Sequence, residues 1–245
     1  MKTKIFAHRG LSSKAPENTI SAFKKAIDIE GIYGVEFDVQ MTKDKKVVVI
    51  HDENTKRTTK KEKYIKDMNY KELNELDAGS WFSSEYKGEK IPLLSEVLEV
   101  LKNTNLFINI ELKNSKIIYE GIEEEVLNII KKLKIKNRII ISSFNYESLK
   151  IIRKLDGKIK IAVLSKEIPK NPIQYIKNVE GEALHIGISK IDKKIVQELK
   201  DNNIKVRCFT INTEGDFKKA IEYKIDGLFS DKSDYMVQLG GIKYE

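Results

Sequence analysis

GVEFDVQMTKDKKVVVIHD, residues 34–52, is the stretch on which the fold turns. Its first half alternates. Val35, Phe37 and Val39 point to one side of an extended chain and Glu36, Asp38 and Gln40 to the other, because successive strand side chains face opposite ways. Two carboxylates two residues apart on one face repel each other and resist burial. Their apolar neighbours nevertheless place the strand in a core, so the acids need a cation or strong donors close by. The chain turns at Lys43–Lys46, with Asp44 as a turn residue, and runs back as Val47–Ile50 into His51-Asp52. A hairpin turning at 44–45 sets position 51 opposite position 38 and returns a histidine to the side of the carboxylates. That set has the makings of a metal-assisted acid–base site.

Outward from the hairpin, short apolar strands alternate with amphipathic helices. Lys4–His8 reads as a buried strand ending in Arg9-Gly10. The segment Ala15–Thr19 is expected to open a helix, with Pro16 at its start, Ile20, Phe23 and Ile27 as its apolar stripe and Gly31 beyond it. Strands are predicted over 106–112, 138–144, 159–164, 183–188, 205–211 and 227–230. Helices are predicted over 94–102, 120–133, 146–155, 192–202 and 214–224, with a shorter one within 170–180. Residues 53–92 interrupt the rhythm with charged clusters, a short helical stretch near Tyr70–Leu76 and the run DAGSWF at 77–82. Counting the strands that end at His8 and carry Glu36, there are eight, with the return 47–51 as an extra. The expected fold is α/β: a (β/α)8 TIM barrel with an extra β-hairpin and a small insertion after the second strand. It is read as a single domain over residues 1–245, with function at the C-terminal ends of the strands.

Composition narrows the class. The chain has 245 residues, 40% of them hydrophobic, enough for one sizeable core. No apolar run approaches the roughly 18 residues of a membrane span, so no stable membrane insertion is expected. The opening MKTKIFAHRG has too short an apolar run for a secretory signal. The one cysteine, Cys208, excludes an internal disulfide framework and a cysteine-based zinc site. A cytoplasmic location is the expectation. The net charge is +8, but lysines are interleaved with acids on most predicted helices, the pattern of a solvated surface rather than of a nucleic-acid face. The densest basic run, KRTTKKEKYIK at 56–66, follows His51-Asp52, where it can help draw in an anionic substrate.

The predicted strand ends carry the chemistry. The first ends in His8-Arg9, the second carries Glu36 and Asp38, and the hairpin returns His51. The third ends Asn109-Ile110-Glu111-Leu112-Lys113, and later ones end in Ser142-Ser143-Phe144 and Phe209-Thr210-Ile211-Asn212. Glu36, Asp38 and Glu111 offer oxygen ligands for a hard divalent cation, Mg²⁺ or Ca²⁺. Arg9 and Lys113 suit phosphate oxygens. His8 and His51 exchange protons near neutral pH, one able to take a proton from a nucleophile and the other to give one to a leaving group. His185, between apolar Leu184 and Ile186, reads as a structural hydrogen-bonder, and Cys208 as a small core residue. Trp81 reads either as a packing anchor for the excursion or as part of the pocket lining.

Taken together, these residues carry a resemblance. HRG at 8–10, PENT at 16–19, EFDVQ at 36–40 with Asp44, VVIHD at 48–52, DAGSWF at 77–82, IPLLSEVL at 91–98, ELK at 111–113, SSF at 142–144 and DGLFSD at 226–231 resemble the glycerophosphodiester phosphodiesterase family. The match runs from residue 4 to about 234. The resemblance implies a barrel, catalytic His8 and His51, and a divalent cation at Glu36, Asp38 and Glu111. It also implies substrate contacts at Arg9 and Lys113, with Phe144, Trp81 and Phe209 expected beside the substrate. The family often has a tryptophan where this chain has Phe209-Thr210-Ile211-Asn212, which bears on the pocket wall rather than on the chemistry. The implied reaction is hydrolysis of a small-molecule glycerophosphodiester to sn-glycerol 3-phosphate and an alcohol. The alternative is a lysophospholipase D acting on single-chain lysophospholipids, which the charged 53–92 excursion disfavours. The oligomeric state is not legible.

Overall fold

The computed structural model describes residues 3–240. Its elements in chain order are β1 (Lys4–His8), α1 (Ile20–Ile27), β2 (Gly34–Met41), β3 (Val47–Val49), α2 (Lys56–Thr59), α3 (Tyr70–Leu73) and α4 (Leu94–Leu101). There follow β4 (Phe107–Leu112), α5 (Ile122–Leu133), β5 (Ile139–Ser143), α6 (Tyr146–Leu155), β6 (Lys160–Ser165), α7 (Pro172–Lys177) and β7 (Ala183–Gly187). The described residues end in α8 (Lys193–Asp201), β8 (Lys205–Phe209), α9 (Glu214–Glu222), β9 (Gly227–Ser230) and α10 (Ser233–Gly240). All strands except β3 pair in parallel, in the order β1-β9-β8-β7-β6-β5-β4-β2, and pairing of β1 with β2 closes the ring. This is the (β/α)8 barrel expected from the strand–helix alternation.

The two-residue period of the strands sorts their side chains into two shells. Val35, Phe37 and Val39 of β2, with Ile108, Ile110 and Leu112 of β4, face outward into the layer shared with the helices. Each such buried side chain contributes about 1.5–3 kcal/mol. Inward-facing Phe6, Ile140, Ala162, Ala183 and Phe229 fill the barrel. The inward positions further along the strands are polar, and they form the site. Among the described residues no helix is long and apolar enough to cross a membrane.

Four details differ from the sequence reading. The hairpin register is shifted by one residue. Val39 pairs with Val49, so Asp38 lies opposite Ile50, not His51, and the Ile50 N–H donates to the Asp38 carbonyl at 3.0 Å. The cause is the turn. Thr42 and Lys46 close it, and Lys45 sits in the left-handed region at φ 60°, giving a three-residue loop instead of a two-residue one.

The first helix begins at Ile20 rather than at Pro16. The Thr19 hydroxyl accepts from the Ala22 N–H as an N-cap, and Asn18 is left-handed at φ 58°, a conformation that no helix can include. Pro16–Asn18 is therefore a turn on the rim.

The excursion is not merely charged. Ile65, Met68, Leu73, Leu76, Ala78 and Ile91 bury themselves with Val48 and Ile50 as a second small core. Its exit rejoins the hairpin: the Pro92 carbonyl accepts from the Val49 N–H at 2.9 Å, and Val48 bridges Leu93. Finally, α10 was not anticipated. Its Met236 and Val237 are buried, but the helix is short and its apolar stripe weak.

Candidate active site

The site begins where β1 ends. His8 is followed by Arg9 at φ 57° and Gly10 at φ 78°, so the chain turns sharply across the barrel mouth. A Cβ at Gly10 would meet the Ala22 backbone at 2.7 Å, which only glycine avoids. The Arg9 N–H donates to the Glu36 carbonyl at 2.8 Å. The turn thus carries the guanidinium over β2, with Nε 3.4 Å from Asp38 Oδ2 and Nη1 2.8 Å from Glu17 Oε1.

Parallel pairing of β2 with β4 sets Glu36 beside Asn109 and Asp38 beside Glu111. Glu36, Asp38 and Glu111 each offer a carboxylate oxygen within 4.8 Å of the other two. Burial, then the charges of Asp38 and Glu111, push the Glu36 carboxyl well up from its ordinary value. Burial and the Asp38 charge bring Glu111 up to about 7, against the pull of Lys113. Asp38 is also buried, but Arg9, His51 and Lys113 overcome that and hold it below its ordinary value. Three converging acids of which two resist ionisation form a donor set short of positive charge. Hard carboxylate oxygens in this arrangement fit a divalent cation.

Lys113 spans the site. Its Nζ lies 3.0 Å from Glu111 Oε1, 3.9 Å from Asp38 Oδ1 and 3.2 Å from His51 Nε2. An ammonium only donates, so His51 Nε2 accepts here. On its other side His51 Nδ1 lies 2.6 Å from Asp52 Oδ1. Burial pushes the Asp52 carboxyl up, yet hydrogen bonds from Arg57 and His51 bring it down to about 2. It therefore accepts, and the hydrogen of neutral His51 is on Nδ1. Burial, with Arg9 and Lys113 nearby, holds the His51 imidazole below its ordinary pKa despite Asp38. His8 is arranged alike: Nδ1 lies 2.6 Å from Asp231 Oδ1, and Nε2 3.9 Å from Glu36 Oε2. Burial would raise Asp231, but the hydrogen bond and charge of His8, with hydrogen bonds from Asn212 and Ser12, together outweigh it, and the carboxyl stays far below its ordinary value.

His51 reaches this place only because the chain leaves the strand after Val49. Buried Gln40 directs it. Its Nε2 donates to the His51 carbonyl at 2.9 Å and the Asp52 carbonyl at 2.6 Å, and its Oε1 accepts from Tyr119 at 2.7 Å.

A cavity of about 190 Å³ opens among these groups. His8, Arg9, Glu36, His51, Glu111 and Lys113 line one side. Phe144, Leu164, Phe209 and Phe229 form an apolar wall, with Phe144 and Phe209 edge to face at 6.3 Å. A larger groove, about 580 Å³, lies on the outer surface along α5 and holds none of the converging groups.

Most sequence-derived candidates thus meet at one place: His8, Arg9, Glu36, His51, Glu111, Lys113, Phe144 and Phe209 line the cavity, and Asp38 lies beneath it against Arg9 and Lys113. Trp81 does not join them. Its indole N–H donates to the Ala78 carbonyl at 2.8 Å and its ring packs edge-on against Phe82. His185 is fully buried at the cavity floor, with Nε2 3.0 Å from Arg207 Nη1. Sequence reasoning gave no role to Asp231, Asp52, Glu17, Asn18 or Gln40, although all five lie inside the quoted motifs. Asn18 Nδ2 donates to Asp38 Oδ2 at 3.0 Å. Motif membership was the available signal; side-chain partners were not.

Comparison with known proteins agrees with the geometry. The model of the glycerophosphoryl diester phosphodiesterase family matches residues 8–235. The chain is 41% identical over 240 residues to a glycerophosphodiester phosphodiesterase of Bacillus altitudinis, covering 97% of this chain and 98% of that one. It is 38% identical over 239 residues to one of Caldanaerobacter subterraneus subsp. tengcongensis, covering 98% of each. Among solved structures, an Oleispira antarctica phosphodiesterase in complex with the product sn-glycerol 3-phosphate superposes with a TM-score of 0.88 at 33% identity, covering 97% of this chain and 96% of that one.

Proposed function

The chain belongs to the glycerophosphoryl diester phosphodiesterase family, and on that premise we propose that it releases sn-glycerol 3-phosphate and an alcohol by paired histidine chemistry at a divalent cation site. The enzyme is a glycerophosphodiester phosphodiesterase. The observation that carries the finer reading is the pair of imidazoles on one cavity, each with Nδ1 bound to a carboxylate, which keeps Nε2 as the nitrogen that exchanges protons; at His51 that nitrogen meets Lys113 Nζ.

Glu36, Asp38 and Glu111 would hold the cation, and an all-oxygen set suits Mg²⁺ or Ca²⁺. When bound, the ion supplies electrostatic stabilisation to a phosphoryl group whose negative charge grows in the transition state. Arg9 and Lys113 receive the phosphate oxygens, since both line the cavity and both are cationic donors. Either histidine takes the proton of the attacking oxygen at Nε2, and the other gives one to the departing alcohol oxygen. Asp52 and Asp231 hold the ring orientations and stabilise the imidazolium as it forms. The aromatic wall shields the diester from bulk water.

Release of choline from glycerophosphocholine and of ethanolamine from glycerophosphoethanolamine, coupled to detection of sn-glycerol 3-phosphate, tests this reading. Activity is expected with Mg²⁺ or Ca²⁺ and lost in excess EDTA. Undiminished turnover after exhaustive chelation would remove the cation from the mechanism.

A further inference from the structure

Arg57 belongs to the basic run that, by sequence, faces solvent or attracts substrate. Its guanidinium is engaged otherwise. Nη1 donates to Glu17 Oε2 at 2.6 Å and Nη2 to Glu17 Oε1 at 2.7 Å. Nε donates to Asp52 Oδ2 at 2.7 Å and Nη2 to Asp52 Oδ1 at 3.2 Å. Two edges of one planar group are thus filled by two carboxylates, each held bidentately. Those carboxylates come from different segments, Glu17 from the turn before α1 and Asp52 from the end of the hairpin.

Both carboxylates reach further. Glu17 Oε1 also accepts from Arg9 Nη1 at 2.8 Å, and Asp52 Oδ1 also accepts from His51 Nδ1 at 2.6 Å. A continuous chain of ionic hydrogen bonds therefore runs from the phosphate-facing Arg9 through Glu17, Arg57 and Asp52 to His51. We infer that Arg57 is a positioning residue: it acts through Asp52 to fix the orientation and tautomer of His51, and through Glu17 to aim Arg9. The inference rests on the proposed role of His51. Without Arg57, the partly exposed Asp52 carboxylate loses its anchor and is free to turn into water. His51 Nδ1 then loses its acceptor, and the tautomer with its hydrogen on Nδ1 is supported only by the Lys113 contact at Nε2. Glu17 keeps Arg9 but loses its outer support. A lysine cannot substitute, because one ammonium cannot present two donor edges to two carboxylates. The excursion is thereby given a part in the site itself, since α2 delivers Arg57.

The test compares Arg57→Ala, Arg57→Lys, Lys56→Ala and His51→Ala on glycerophosphocholine with saturating Mg²⁺. Arg57→Ala is expected to lower kcat by about ten- to hundredfold, the usual loss when an orienting partner is removed. Arg57→Lys should not recover it, while added guanidinium ion should restore part of the Arg57→Ala loss. Lys56→Ala, an exposed neighbour paired with Glu62, should stay near wild type. In ¹⁵N spectra of the imidazoles, the single neutral tautomer of His51 should give way to a mixture in Arg57→Ala, a change that mere loss of stability in a folded protein does not produce. Wild-type kcat with a raised KM that salt abolishes, shared by Lys56→Ala, would mean that Arg57 only attracts substrate, and the inference would fall. Full activity in Arg57→Lys would overturn it as well. If His51→Ala retains turnover, the underlying mechanism fails instead, so the two failures are distinguishable.

Discussion

Asp231 and His8 stand 223 residues apart in the chain and meet in a 2.6 Å hydrogen bond. The aspartate is fixed from three further directions: Ser12 Oγ donates to it at 3.0 Å, Asn212 Nδ2 at 2.6 Å, and the Asn212 amide oxygen accepts from its N–H at 3.0 Å. An acceptor held this firmly leaves His8 one orientation.

Asp231→Asn should therefore lower kcat by about 10²-fold or more while leaving cation affinity near wild type, because the charge that favours the Nδ1–H tautomer and the imidazolium is gone. Steady-state kinetics beside a Ca²⁺ or Mg²⁺ titration check this. An unchanged kcat would show that His8 does not depend on Asp231.

For the histidines themselves, His8→Ala and His51→Ala should each reduce kcat by roughly 10²–10⁴-fold with little change in KM. The double variant should lose far less than the product of the single losses, since the two act as a unit. A nitrophenyl diester, whose leaving group needs no proton, should be partly spared in whichever variant lacks the acid. That contrast assigns the two roles. Near-normal turnover by both single variants would end the paired-histidine mechanism.

Cation binding should expel protons in mildly acidic solution. Glu111 sits at about 7, raised from 4.5, so below neutrality the metal-free site holds a proton that a bound ion must displace. The sign for stability follows. A carboxyl whose pKa rises on folding stabilises most below its unfolded value, and that contribution is lost as pH climbs from about 4.5 through 7. The metal-free protein should lose melting temperature across that window, and saturating Mg²⁺ or Ca²⁺ should flatten the loss. Calorimetry at pH 6 in two buffers of different ionisation enthalpy measures the released protons. None released would contradict the protonated state of Glu111.

Trp81→Ala should act on stability rather than on selectivity. The indole is tied to the Ala78 carbonyl, its ring packs on Phe82, and Phe82 packs on Tyr86. The Tyr86 hydroxyl in turn donates to the Lys14 carbonyl at 2.8 Å, fastening the excursion to the rim. Losing a half-buried aromatic of this kind should cost a few kcal/mol, or on the order of 5–10 °C in Tm for a chain of this length. KM should change alike for small and bulky diesters. A KM effect confined to bulky diesters, with Tm unchanged, would return Trp81 to the pocket.

The chain by itself determined the barrel and the faces of its strands. Alternation in a pleated strand is local geometry, so Glu36, Asp38 and Gln40 had to share a side opposite Val35, Phe37 and Val39, and Asn109, Glu111 and Lys113 had to do the same. Strand–helix alternation then left a closed parallel sheet as the arrangement that buries every apolar face, which brings the acids, Arg9 and the histidines toward one rim.

Tertiary structure decided what surrounds them. The left-handed Lys45 shifts the hairpin by one residue, so His51 cannot reach the acids by strand register. It arrives because Gln40 captures the carbonyls beyond the strand end. The carboxylate behind His8 comes from the far end of the chain, and the cation behind Asp52 comes from a basic run that the sequence could offer only as solvated surface or as an attractor of anionic substrate. Trp81 could be an anchor or a pocket wall until its neighbours were placed. These outcomes depend on turn dihedrals and on contacts between residues distant in sequence, where no period of two or 3.6 residues carries information. Periodicity fixes which way a side chain points from its own backbone; only the packed chain fixes what it meets.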